Sequence, residues 1–225
     1  MRDRQKADLL GACDLFSGLP TEELLHLAQC ASVVRYRRGQ IVFADGDPAD
    51  ALLLVVEGRL KVVARTPAGD ELMLAVAGPG TTLGELALAD GAGRSASVEA
   101  LVDCVALRVD RESVRELARS RPAVAEQLLI ALARVVRRLT GAAADLVFLD
   151  VPRRLAKLLL EHRASSGADT IDNFLSQSDI ASTIGGSRQA VNRALSEFKK
   201  HGWVETRGRT IIIRDVDALR SFASS

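Results

Sequence analysis

Two stretches of the chain carry residues whose chemistry goes beyond packing. In the first, Gly84-Glu85-Leu86 is followed, after seven intervening residues, by Arg94-Ser95. A glycine lets backbone amides approach an anion, a carboxylate accepts from hydroxyls, and an arginine meets a phosphate through paired N–H groups. Together they suit a sugar phosphate. The same residues also read as an ion pair, Glu85 to Arg94, that closes a loop. In the second stretch, Ser187, Arg188, Gln189, Asn192 and Arg193 crowd the first two turns of one helical pattern. Forked polar side chains in that position are the types that read base edges in a major groove. A solvated surface face is the simpler alternative.

The elements around the second stretch favour nucleic acid. Ser176 stands three residues before Asp179, a spacing that satisfies free amides at a helix start. Ile180, Ala181 and Ile184 give that helix one apolar face, Gly185-Gly186 makes a tight turn, and Ser187 can cap the next helix. In the second helix Val191, Ala194, Leu195 and Phe198 fall at i, i+3, i+4 and i+7, which turns one side into a core and leaves the polar set outside. Behind it, Trp203 to Thr206, Arg207-Gly208-Arg209 and Thr210 to Ile213 read as a hairpin with arginines around its tip. That is a wing placed to touch phosphate.

The elements around the first stretch are β-rich. From Val33 to Val109, short apolar runs (Ile41 to Phe43, Ala51 to Val56, Leu60 to Ala64, Glu71 to Val76, Ser97 to Arg108) alternate with turns, as in a small antiparallel barrel or roll. Leu9 to Ala31 holds two short helical patterns split by Ser17-Gly18-Leu19-Pro20, with Thr21 as a cap. The Arg35-Tyr36-Arg37-Arg38 run reads as a solvated strand edge. A long helix follows from Pro122, where Leu128, Leu132, Val135, Leu139, Ala142, Leu146 and Leu149 repeat with spacings of three and four. Such a stripe could pack on the roll of its own chain, but a seam this regular favours a partner helix in a parallel homodimer, with Arg134, Arg137 and Arg138 as solvated charge beside it. Pro152 disfavours helix at Val151, so that helix should end near Asp150. Arg153 to His162 then makes another, and Ala164 to Asn173 a loop. The fold class is therefore α+β.

Charge follows the same division. Residues 1 to 150 hold 18 Lys and Arg against 21 Asp and Glu, a net of −3, whereas residues 151 to 225 hold 12 against 8, a net of +4. A basic C-terminal part behind a mildly acidic body fits a chain in which only one domain meets phosphates. No apolar run approaches a membrane span and the start lacks a signal-peptide core, so the expected location is the cytoplasm. Cys13, Cys30 and Cys104 are too scattered for a disulfide framework or a metal motif and read as structural thiols. His26, His162 and His201 lie far apart, and neither a Gly-x-Ser-x-Gly elbow nor a Walker-type lysine loop occurs. No catalytic or metal-ligating residue is assigned, and an enzyme is not expected.

Gly39 to Asp47 with Val56 to Val62, and Leu83 to Ala100, resemble the two signatures of cyclic-nucleotide-binding domains. With the C-terminal helices, the chain from about Leu15 to Ile213 resembles the CRP/FNR family of bacterial transcription regulators. The resemblance implies a β-roll domain over residues 1–121, a dimerisation helix and hinge over 122–150 with Phe148-Leu149-Asp150-Val151 at the hinge, and a winged helix-turn-helix over 151–225. It implies a ligand site of Gly84, Glu85, Leu86, Arg94, Ser95 and Thr140, in which Glu85 takes the ribose 2′-hydroxyl and Arg94 the cyclic phosphate. The long-helix threonine that cAMP-responsive members use on the base falls at Leu139, with Thr140 beside it. It also implies double-stranded DNA with a palindromic operator as partner, read by Ser187, Arg188, Gln189, Asn192, Arg193, Arg207 and Arg209, with RNA polymerase as a further partner. Many cAMP-responsive members carry Glu where this chain has Gln189.

No cofactor is expected as a requirement; cAMP is the expected allosteric effector. Too few cysteines for an iron-sulfur cluster, and no histidine between Ser32 and Glu161 to ligate haem, leave a small organic anion as the signal. The competing readings are a regulator with little nucleotide control or another small ligand and, in a different class, a ligand-sensing subunit that binds no DNA.

Overall fold

The computed structural model describes residues 1–66, 71–171, 175–208 and 210–224. They fall into two compact units, Met1–Gly69 with Leu74–Arg138, and Asp70–Met73 with Leu139–Ser225.

In the first unit α1 (Asp3–Ala12) and α2 (Thr21–Cys30) precede the strands. The first helix begins six residues before the expected Leu9, and Thr21 is helical where a cap was expected: Pro20 occupies the cap position with no side-chain bond. Among the described residues eight strands follow: β1 (Ala31–Tyr36), β2 (Ile41–Phe43), β3 (Ala51–Glu57), β4 (Leu60–Arg65), β5 (Glu71–Ala77), β6 (Thr82–Leu83), β7 (Ser97–Ala100) and β8 (Cys104–Asp110). They make two four-stranded sheets, ordered β1-β8-β3-β6 and β2-β7-β4-β5. The expected single run from Ser97 to Arg108 is two strands in different sheets, broken at Leu101–Asp103. β1 lies at a sheet edge and Arg35, Arg37 and Arg38 are exposed, matching the solvated-edge reading.

β3 explains why two sheets form. Its side chains alternate in direction, so Leu52 and Leu54 enter a core with Leu10, Phe16 and Leu27 of the helical layer, while Leu53 and Val55 enter another with Leu60, Leu83 and Val98. Two short helices escaped the sequence reading. α3 (Glu85–Asp90) sits where strand chemistry stops, and α4 (Arg111–Ser120) starts on the Asp110 carboxylate, which accepts from the amides of Glu112 at 3.0 Å and Ser113 at 3.2 Å.

α5 (Pro122–Phe148) is the long helix, ending two residues before the expected Asp150. Its apolar stripe is re-registered. Leu128 packs on the core beside Leu10 and Phe16, whereas Leu129, Val136, Leu139 and Leu146 stand exposed. With half-buried Leu132 and exposed Ala143, the outward stripe runs 129, 132, 136, 139, 143, 146. Arg134, expected as free charge, is ion-paired with Asp14.

The second unit starts on α6 (Val151–Ser166), capped by the Asp150 carboxylate, which accepts from the Arg153 amide at 3.0 Å. α6 is longer at both ends than Arg153 to His162. Pro152 fits its first turn, where the missing N–H costs nothing. A short strand β9 (Thr170–Ile171) replaces part of the expected loop, because Ile171 is buried against β11. α7 (Gln177–Ile184), α8 (Arg188–Lys200), β10 (Val204–Arg207), β11 (Thr210–Ile213) and an unforeseen α9 (Val216–Ser224) complete the unit. β9 joins the hairpin to give a three-stranded sheet ordered β10-β11-β9.

Candidate ligand pocket and nucleic-acid interface

The two signature stretches of the β-roll interlock through backbone bonds. The turn after β2 is closed by Asp47 donating to the Ala44 carbonyl at 3.1 Å and by Ala44 donating to the Asp47 carboxylate at 2.7 Å. That turn grips Arg94 on both sides: Gly46 donates to the Arg94 carbonyl at 2.8 Å, and the Arg94 amide donates to the Asp47 carbonyl at 2.9 Å. A side chain at Gly93 would put its Cβ 2.9 Å from the Gly46 carbonyl, so the approach requires glycine there.

Arg94 is driven inward by this grip and is only 6% exposed. Its Nη2 donates to the Ala51 carbonyl at 2.7 Å, and its guanidinium lies over the Phe43 ring, 4.2 Å from the centroid. Nε and Nη1 are buried without a hydrogen-bond partner, and so is Oε2 of Glu85. The loop-closing pair of Glu85 with Arg94 is not formed. The ion pair that Arg94 does make is a long one, to Asp50 at 3.9 Å, whose carboxylate is committed to Arg108 at 2.6 Å. Burial pushes the Arg94 guanidinium below its ordinary pKa, Asp50 pulls it back up and Arg108 lowers it further. Gly84, at φ +102°, brings the backbone against this group, and a Cβ there would lie 2.3 Å from Nη1. Buried donors and a buried acceptor left open are costly. They favour a ligand that is anionic and also carries a hydroxyl donor.

The remaining residues assigned to this site differ in setting. Ser95 is exposed and Leu86 is at the margin of exposure. Thr140 is exposed on the part of α5 that belongs to the second unit. Phe43 and Asp50 were not foreseen as part of this arrangement. An aromatic in a β-strand reads first as core, and nothing in the sequence places it under an arginine about 50 residues away.

In the second unit α7 opens with the expected capping box: Ser176 Oγ accepts from the Asp179 amide at 3.1 Å, and the Asp179 carboxylate accepts from the Ser176 amide at 2.7 Å. Gly185 ends α7 in the left-handed region, φ +61°, and Ser187 caps α8 by accepting from the Ala190 amide at 3.1 Å. Ser187 is thus occupied in structure. Val191, Ala194, Leu195 and Phe198 are buried, while Arg188, Gln189, Arg193 and Ser196 are exposed and Asn192 is half-buried. A groove of about 540 Å³ runs between the α7 start, this face of α8 and the hairpin, lined by Ser178, Arg188, Asn192, Lys199, Thr206 and Thr210. Ser178, Thr206 and Thr210 join the assigned residues only through folding, since they come from three other elements, α7, β10 and β11, while Lys199 lies on α8 itself. Arg207 is exposed and bonds Glu205 at 2.6 Å; Arg209 lies outside the described residues. Arg154 braces the turn from behind, donating to the Leu149 carbonyl at 2.7 Å and the Gly185 carbonyl at 3.2 Å.

Residues 33–121 match the cyclic nucleotide-binding domain, and residues 153–222 match the Crp-like helix-turn-helix domain. A CRP-like cAMP-activated global transcriptional regulator of Mycobacterium tuberculosis is 35% identical over 217 residues, 94% of this chain and 97% of that protein. The chain belongs to the CRP/FNR family. The cyclic AMP receptor protein of Thermus thermophilus is 31% identical over 209 residues, 93% of this chain and 96% of its own length. The structure of FixK2 from Bradyrhizobium japonicum superimposes with a TM-score of 0.79 at 25% identity, covering 85% of this chain and 96% of that one. This CRP/FNR member is therefore a DNA-binding transcription regulator with a cyclic nucleotide-binding domain, a class of regulators and not of enzymes. Among its described residues no helix is long and apolar enough to cross a membrane.

Proposed function

We propose that this CRP/FNR regulator binds cAMP in the β-roll as an allosteric effector and, as a parallel homodimer, reads a palindromic operator. The observation that carries the effector half is the buried Arg94, with two unpartnered donors against the Gly84 backbone, together with the unpartnered acceptor of the next residue, Glu85. In that reading Arg94 holds the cyclic phosphate, Glu85 accepts from the ribose 2′-hydroxyl, and Ser95 and the amides around Gly84 and Leu86 complete the cradle. Relatives named as cAMP-activated support the choice of nucleotide.

The dimer half rests on the exposed stripe of α5, whose alternating spacing of three and four suits a partner helix. A two-fold axis would place two copies of α8 in successive major grooves about 34 Å apart. Arg188, Gln189 and Arg193 then meet base edges, Asn192 supports them, and Arg207 and Arg209 meet phosphates. RNA polymerase would be engaged by the assembled complex. The cytoplasm is the compartment where such a regulator meets DNA.

Calorimetry with cAMP and cGMP, followed by operator titration with and without the tighter nucleotide, tests the proposal. The expected outcome is saturable binding and a change in operator affinity. Because an effector acts only through its preference for one state, binding that leaves operator affinity unchanged refutes control. Failure of both nucleotides to bind at millimolar concentration refutes the effector assignment while leaving the DNA-binding family function intact.

A further inference from the structure

We propose that Phe43 is the positioning residue of the anion site: its ring face, with only a long ion pair to Asp50 beside it, holds Arg94 in readiness for a ligand phosphate. This deepens the cyclic-nucleotide reading and rests on it.

A cation that is 94% removed from solvent needs something to offset lost hydration. The usual device is an ion pair within hydrogen-bond distance, which Arg94 lacks. The Asp50 carboxylate stays 3.9 Å away because Arg108 holds it at 2.6 Å. The Ala51 carbonyl fills Nη2 alone. Beside the long Asp50 ion pair stands the Phe43 ring at 4.2 Å, and the negative face of an aromatic quadrupole attracts a guanidinium without occupying any N–H. That difference decides the chemistry. A carboxylate in the same place would take the donors that an incoming phosphate needs and would have to be displaced. A ring beneath the guanidinium carbon takes up no N–H, and Nε and Nη1 are left without a partner.

Chain geometry makes the arrangement specific. Phe43 is the last residue of β2 and immediately precedes the Ala44–Asp47 turn that grips the Arg94 backbone. One five-residue stretch therefore fixes both the main chain and the charged end of Arg94. A register shift between Ile41 and Phe43, where β2 meets β7, accompanies the placement of Phe43.

The experiment compares wild type with Phe43→Leu and Phe43→Tyr in the full-length chain, by calorimetric titration with cAMP and with cGMP. The melting temperature of each ligand-free variant is recorded alongside. Phe43→Leu keeps apolar bulk and loses the ring, so its affinity for the bound nucleotide should fall about tenfold. Phe43→Tyr keeps the aromatic face and should stay within about threefold of wild type. A general packing role would instead lower the melting temperature of both variants in step with affinity. Equal affinity of Phe43→Leu and wild type, or a Tyr variant as weak as the Leu variant, overturns the inference while nucleotide binding by wild type upholds the site itself. Wild type that binds neither nucleotide overturns both.

Discussion

Gly84→Ala should disable the anion site for a reason that a second glycine can isolate. Gly80 and Gly84 both sit at positive φ, +85° and +102°, but a Cβ at Gly80 meets nothing within 4 Å, whereas one at Gly84 would lie 2.3 Å from Arg94 Nη1 and 3.2 Å from the Ala51 carbonyl. Gly80→Ala therefore carries only the left-handed backbone term, about 1–2 kcal/mol. Gly84→Ala carries that term and must also move Arg94, whose freedom is limited by the bond to Ala51 and the grip on its backbone. Losing a hydrogen bond to a charged group adds about 1.5–3 kcal/mol, for a total of about 2.5–5 kcal/mol. If Arg94 is displaced, one such bond to the ligand is lost as well, which corresponds to a fall in affinity of roughly 10–100-fold. Chemical denaturation gives the stabilities and calorimetry with cAMP the affinities. Gly80→Ala should lose stability but bind as wild type does. Equal destabilisation of the two variants, with affinity untouched in both, would refute the steric reasoning.

Val136→Asp places a charge in the exposed α5 stripe and should dissociate the dimer, at a cost of about 3–5 kcal/mol for an unpaired charge in a closed seam; sedimentation of an unchanged dimer contradicts this. Arg188→Ala should cost about 1–3 kcal/mol on the true operator and little on random DNA, whereas Arg207→Ala should weaken both and flatten the salt dependence by about one unit. Competition titrations that find the same loss for both variants on every sequence exclude that division of labour. Phe198, buried at 1% exposure against Trp203 and Phe222, should cost about 3–5 kcal/mol as Phe198→Ala in urea unfolding of the second unit. Ser176→Ala removes one half of the capping box and should cost about 1 kcal/mol in the same measurement.

Legibility in the sequence tracked the locality of the physics. The capping box at Ser176, the Gly185 turn and the buried face of α8 are decided within a few residues, and each was readable. So were the β-rich texture and the wing. The α5 stripe was half readable: periodicity identified an apolar helix, but Leu128 was assigned to a partner when it packs on its own chain's core, because spacing cannot say which of two apolar surfaces a leucine meets. The Asp110 cap and α4 carry little sequence signal, since Arg111 to Ser120 holds few apolar residues. At the anion site the residue types were visible and their environment was not. Glu85 and Arg94 as an ion pair or as an open cradle differ only in burial and partners, which Phe43, Ala51, Asp50 and Gly84 impose from other parts of the chain.

The interlock between the Ala44–Asp47 turn and Arg94 also bears on how the molecule is made. Its two halves are separated by almost fifty residues, so the bonds that grip Arg94 close a long loop and belong to the slow, non-local part of folding. A growing chain that has emerged only as far as β5 has the turn without the arginine. The anion site should therefore come into being late and all at once. A ligand that recognises it engages finished β-rolls and passes over unfinished ones, and a destabilised variant supplied with that ligand during refolding should be recovered in higher yield by mass action on the native state alone.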